Sequence, residues 1–306
     1  MTYTQLLNTA LELLDEQGPQ QAFDFMQQQS PNVEYANPAQ LYNFSYCLAA
    51  MCDRTDEAMG LLKEAVYTHG YWYDYTYLME DEDLEPLRSM PEFETIANLC
   101  RQRQQAAQQA VQPVLCCEEN KPVVLVLHGD QQNAAITLPY WQPVKQMGYA
   151  LAAAQSTELQ VSDGYLWDDE EQAAEQLASH WKNLQEQGVQ VENSVLGGFS
   201  SGGRAALYAV LSGAVAPKGL ILVAPWLPEL EEWTEDLSAL KAAGTRVYIC
   251  CGDADEDCFE GSEQLFELLD EAGVEVDFKL CPDLDHDYPE NFDRLLKEAI
   301  DFVAGE

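Results

Sequence analysis

The sequence predicts an all-α region of paired helical hairpins followed by a doubly wound, mostly parallel α/β domain. Three observations carry that reading. Up to about residue 112, apolar residues recur at i, i+3 and i+4, the helical spacing. From about residue 113, short β-branched or apolar runs alternate with amphipathic helices. Glycine-rich and polar motifs fall where those runs end, which is where open α/β sheets place their ligands. The expected domains are 1–112, helical, and 113–306, α/β.

In the helical region Leu6, Leu7, Ala10, Leu11 and Leu14 form the first apolar stripe, and Gly18 ends it. A second helix follows Pro19 with Ala22, Phe23 and Met26. Pro38 opens a third, carrying Leu41, Phe44, Tyr46, Leu48 and Ala49. After a turn at Asp53–Asp56, a fourth runs through Ala58, Leu61, Leu62, Ala65 and Val66 to Gly70. Successive hairpins of this length predict antiparallel units stacked side by side. The stretch LYNFSYCLAAMCDRTDEAMGLLKEAVYTHG resembles a tetratricopeptide repeat, with small residues (Ala49, Ala58, Ala65) where helices approach. YLMEDEDLEPLRSMPEFETI resembles the terminal segment that follows such repeats. The aromatic run Tyr71–Tyr77 suits either a cap on the last helix pair, the interface with the second domain or a ligand or partner groove. A helix from Arg101 to Gln112 leads out of the region, and Pro113 ends it.

In the second region the expected strands are 123–127, 149–154, 194–196, 219–223, 246–251 and 274–280. The clearest helices are 168–187, 203–211, 262–272 and 292–303. After the third strand comes Gly198-Phe199-Ser200-Ser201-Gly202, a GxSxG sequence between strand and helix. Such a turn strains the serine backbone and leaves no room for side chains two residues to either side. Ser200 then stands at a helix start as a nucleophile that needs a base. Of His69, His128, His180 and His286, only His286 lies beyond it, in a polar loop after the last strand. Asp253, Asp255 and Asp257 follow the preceding strand and are candidates to orient the imidazole.

VLHGD, GGFSSGG, CGDADED and DLDHDYP occur in this order, and residues from about 120 to 304 resemble α/β hydrolases of the phospholipase/carboxylesterase and dienelactone-hydrolase branches. The resemblance implies a serine esterase acting on a small-molecule ester through an acyl-Ser200 intermediate, with a Ser200–His286–acid triad. The family's G-x-x-D loop selects Asp255. Its HG loop assigns the oxyanion donors to the backbone N–H groups of Asp130 and Ser201. A carboxylate at Asp130 must then point away from the developing charge, and His128 is expected to tie down the loop. Trp167 and Phe199 are candidate pocket residues, and Asp168 and Asp169 are expected to cap the following helix. Asp285 stands where a glycine often precedes the histidine, and its charge should raise the pKa of His286. Residues 227–245 leave room for a helix but no larger cap, so an open site is expected.

Composition bounds the partners. The 306 residues are 47% hydrophobic, enough for a sizeable core, and carry 53 acidic against 15 basic residues, a net charge of −38. Such a surface repels phosphate backbones and anionic headgroups, so neither nucleic acid nor membrane partners are expected. The N-terminus lacks the basic start of a signal peptide, and no apolar stretch is long enough to span a bilayer. Nine cysteines, two pairs of them adjacent in sequence, suit reduced thiols in a cytoplasmic protein. No CxxC pair or His/Cys cluster is visible, so neither metal nor organic cofactor is expected. The competing class is a non-catalytic scaffold whose helical repeats hold a peptide or protein partner. The presence of all three triad groups favours the enzyme.

Overall fold

The computed structural model describes residues 1–34, 36–108 and 121–305. The chain divides into two compact units, Met1–Val111 with Thr157–Tyr165, and Gln112–Ser156 with Leu166–Glu306.

The first unit opens with α1 (Tyr3–Gln17), whose Thr2 cap and Gln5 side chain satisfy each other's backbone N–H groups. Gly18, at φ 90°, turns the chain and Pro19 starts α2 (Pro19–Gln29). Asn37 caps α3 (Pro38–Met51), and α4 (Thr55–Lys63) passes into a π-helical turn at Glu64–Thr68. Each of these helices packs on the next, giving the expected stacked hairpins. Three shorter-spaced helices, α5 (Tyr75–Glu80), α6 (Glu85–Arg88) and α7 (Phe93–Gln108), complete the helical set. Within the aromatic run Trp72 and Tyr73 are buried in this unit's own core. Tyr73 meets Tyr46 edge-on at 5.2 Å and donates its hydroxyl to the Ala39 carbonyl at 2.9 Å.

The second unit starts with β1 (Val123–Leu127), α8 (Ala134–Trp141) and β2 (Ala150–Ala154). The chain then passes through a hairpin of β3 (Glu158–Val161) and β4 (Gly164–Leu166), whose residues up to Tyr165 belong to the first unit, and returns with α9 (Glu170–Glu186). The alternation continues through β5 (Val195–Phe199), α10 (Ser201–Leu211), β6 (Gly219–Val223) and α11 (Ser238–Ala243). It ends with β7 (Arg246–Gly252), α12 (Phe259–Ala272), β8 (Val276–Cys281) and α13 (Phe292–Ala304). Six strands form one parallel sheet in the order β2-β1-β5-β6-β7-β8. Helices α9 to α12 bury Leu177, Ala206, Leu240 and Leu265 on one face; α8 and α13 bury Trp141 and Leu296 on the other. Covered on both sides, β1, β2, β5 and β6 are buried at every residue, which is why they read as continuous apolar runs. The winding reverses between β1 and β5, so the loops after those strands diverge and leave a crevice at their carboxyl ends.

The predicted boundary at 112/113 and the end of the helix at Pro113 lie outside the described residues. Residues 157–165, beyond that boundary in sequence, belong with the helices. Val161 completes the helical core and pairs with Tyr73, Ser162 bonds the Trp72 backbone, and Asn37 donates to the Ser162 carbonyl at 3.0 Å. Helix α8 was also invisible to periodicity, because AAITLPYW is apolar almost all round and holds Pro139. Among the described residues no helix is long and apolar enough to cross a membrane.

Candidate active site

Ser200 sits between the last residue of β5 and the first of α10, at φ 54° and ψ −125°. A non-glycine residue holds this conformation only where the surroundings force it. Here they do. A Cβ on Gly198 would collide with the Gly202 carbonyl, and one on Gly202 with the His128 and Leu127 carbonyls. Gly197 gives the same clearance to the Trp141 ring. The turn is fixed from both sides, as the Ser200 N–H donates to Val223 O at 3.0 Å and Trp226 N–H donates to Ser200 O at 3.3 Å.

The loops after β7 and β8 bring two more groups to it. The Ser200 hydroxyl lies 3.0 Å from His286 Nε2, and His286 Nδ1 donates to Asp255 Oδ2 at 2.7 Å. Asp255 is 1% exposed, and its other oxygen accepts the Cys258 N–H at 3.0 Å. Asp255 alone of the three candidate aspartates bonds the histidine. Asp253 instead accepts the Asp283 N–H at 2.7 Å, joining the two loops, and Asp257 is exposed. Burial pulls the His286 pKa down, but its bond to Asp255 and the charges of Asp255, Asp285 and Asp257 outweigh that and leave it above the ordinary value. Phe199 lies beneath the ring, 4.9 Å from His286 and 4.8 Å from Tyr288 between ring centres, and is buried rather than open to a pocket.

After β1 the chain turns at Gly129–Gln132, closed by a bond from Gln132 N–H to Gly129 O at 3.2 Å. His128 anchors it. Its Nδ1 donates to Gly129 O at 2.8 Å and its Nε2 accepts the Ser156 N–H at 3.3 Å, while burial pushes its pKa down to about 4. It is a neutral strut. Trp167, expected as a pocket wall, is 0% exposed, lies tilted against His128 at 5.0 Å between ring centres and donates its indole N–H to His128 O at 2.9 Å. A ring without an exposed edge cannot wall an open pocket, and Trp167 supports the loop instead. Asp130 stands on the turn as an exposed residue, with its carboxylate directed at Ser201, whose hydroxyl donates to it at 2.6 Å. The residue as a whole is exposed but its carboxyl group faces inward to Ser201, so desolvation raises the Asp130 pKa and the Ser201 bond opposes that rise. Asp169 caps α9 through the Gln172 N–H at 2.9 Å.

Sequence spacing hid two neighbours of the site. Trp226, on the loop after β6, is the exposed aromatic next to Ser200, and Arg204 lies under its ring at 5.1 Å. Cys258 brings its sulfur within 3.5 Å of His286 Nδ1, so Asp255, Cys258 and His286 form an Asp/Cys/His group that spacing did not reveal. The carboxylate and imidazole of that group are bonded to each other at 2.7 Å.

A family model described as phospholipase/carboxylesterase matches residues 116–304, and one described as A/B hydrolase-like, N-terminal domain, matches residues 2–108. An uncharacterized protein from Bacillus cereus ATCC 10987 is 40% identical over 99% of both chains, with a TM-score of 0.58. The Bacillus cereus carboxylesterase is 22% identical, with 65% of this chain and 99% of that one covered and a TM-score of 0.51. Esterase PE8 is 18% identical, with 62% of this chain and all of that one, 100%, covered at a TM-score of 0.51. At those identities the last two show a shared fold. No curated protein matches the chain.

Proposed function

Because the chain belongs to the phospholipase/carboxylesterase family of α/β hydrolases, we propose that it is a serine esterase that cleaves a small-molecule carboxylic ester through an acyl-Ser200 intermediate. The observation that carries this reading is the hydrogen-bonded line from Ser200 Oγ through His286 to Asp255, at 3.0 and 2.7 Å. With Nδ1 donating to Asp255, Nε2 is left as the acceptor for the serine proton. Ser200 Oγ attacks the ester carbonyl as His286 takes that proton, and Asp255 stabilises the imidazolium. The oxyanion is received by the N–H groups of Asp130 and Ser201, the latter at the start of α10, where first-turn N–H groups have no partner within the helix. His286 then gives its proton to the departing alkoxide. Water repeats the sequence on the acyl enzyme, with His286 again as base. Nothing in this chemistry requires a metal or an organic cofactor. Trp226 takes the role of apolar wall that Trp167 does not fill, and the helical unit supplies a surface for substrate or a peptide partner.

A fluorophosphonate probe tests the assignment. The parent protein is expected to label, Ser200→Ala to lose labelling, and hydrolysis of aryl esters to fall by roughly 10³-fold or more in that variant. Labelling that persists in Ser200→Ala, or a parent that neither labels nor hydrolyses any ester, sinks the reading.

A further inference from the structure

The two oxyanion donors differ in how they are held. Ser201 is the first residue of α10 and 1% exposed, so its N–H is fixed by the helix and the strained turn before it. Asp130 is exposed, on a turn whose own hydrogen bond uses Gln132 N–H and Gly129 O and not the Asp130 N–H. The Gly129 carbonyl, in the same peptide as the Asp130 N–H, accepts from His128 Nδ1 at 2.8 Å and from Gln132 N–H at 3.2 Å. Trp167 grips His128 O two residues before Asp130, so these bonds shape the loop itself without tying it to α10; Gln131 follows at φ 55°. Strands β1 and β5 are neighbours, with Leu127 opposite Gly198, so the two donors sit at the ends of adjacent strands but on separate loops. What joins the exposed member to the fixed one is a side-chain bond between the donor residues themselves, Ser201 Oγ–H to Asp130 Oδ1 at 2.6 Å. A hydroxyl–carboxylate bond of that length is of the stronger, charge-assisted kind.

We infer that this Asp130–Ser201 side-chain clasp sets the gap between the two backbone N–H groups that receive the oxyanion. Both side chains are thus positioning residues for the transition state. The inference rests on the reading of Ser200 as nucleophile and of those two N–H groups as donors. It also accounts for a carboxylate tolerated beside a developing negative charge: the carboxylate is turned to the Ser201 hydroxyl and serves as its acceptor. Donors must lie within about 2.7–3.1 Å of the oxyanion, so a loosened Asp130 loop costs rate in the transition state and little in ground-state binding.

The test is a double-mutant cycle in the full chain. Ser201→Ala and Asp130→Ala are each expected to lower kcat about tenfold with KM nearly unchanged, and the double variant to be no slower than either single one. Asp130→Asn keeps the acceptor oxygen and removes the charge, so its kcat is expected within about threefold of the parent. The affinity of a trifluoromethyl ketone, which forms a tetrahedral adduct with the serine, should fall in parallel with kcat. Losses that multiply in the double variant, a change confined to KM, or an Asp130→Asn as slow as Asp130→Ala each overturn the clasp. Should Ser201→Ala fail to fold, the two Asp130 variants and the ketone affinity decide alone. Fluorophosphonate labelling of the parent separates the two failures: labelling with an additive cycle removes only the clasp, whereas absent labelling removes the esterase reading beneath it.

Discussion

In the proposed mechanism the carboxylates around His286 set the pH at which it acts as base. Its pKa lies above the ordinary histidine value because Asp255, Asp285 and Asp257 together outweigh burial. The base acts when neutral, so kcat/KM should rise with pH through that raised pKa. Asp285→Asn is expected to move this acid limb to lower pH without lowering the plateau, read from kcat/KM profiles of the two proteins. A limb that stays in place shows that Asp285 does not act on the base. The stability contribution has the opposite sign. A histidine with a raised folded pKa stabilises the fold most below its unfolded pKa, and this is lost as pH rises through the folded value. Serine, histidine and the three aspartates were legible in the chain because motif and chain order carry that information. The choice of Asp255 was legible only through family resemblance, since Asp253 and Asp257 are chemically identical and differ in which loop atom each meets.

At the scale of elements, helical and strand periods located most of the secondary structure, while partners came from packing. Asn37 illustrates the second kind. In the sequence Pro38 alone marks the helix start; in the fold Asn37 before it is buried to 1%, caps α3 by accepting the Ala39 N–H at 3.0 Å and donates to Ser162 O at 3.0 Å, 125 residues away. Asn37→Ala removes the cap and strands a buried carbonyl. The expected cost is about 2–3 kcal/mol by denaturant unfolding, well above that of a cap alone. A cost under about 0.5 kcal/mol, ordinary for a surface site, contradicts this role for the side chain. Trp167 shows the converse: an aromatic near a motif looks like a pocket wall, yet its indole N–H found a buried carbonyl to satisfy.

Across the whole molecule the dominant long-range term is the charge of −38. Like charges spread over a folded chain repel one another more strongly than in the expanded state, and salt screens that repulsion. Raising sodium chloride from about 20 mM to about 500 mM shortens the Debye length several-fold and is expected to raise Tm by several degrees. A midpoint that falls across that range shows that specific ion pairs, such as half-buried Arg204–Glu229 at 3.1 Å, outweigh the net repulsion.

By itself, the sequence determined what local physics and covalent order can carry. These are the two periods and the class of fold they imply, the glycines that a strained Ser200 requires, and the chain order of Ser200, the aspartates after β7 and His286. The tertiary structure decided everything that depends on which distant atoms meet. It put a β-hairpin from the second half of the chain into the helical core, buried Trp167 under the loop after β1, and turned the Asp130 carboxylate onto Ser201. Periodicity reports which face of an element is buried, whereas a hydrogen bond between loops depends on strand order and register, fixed only when the sheet closes.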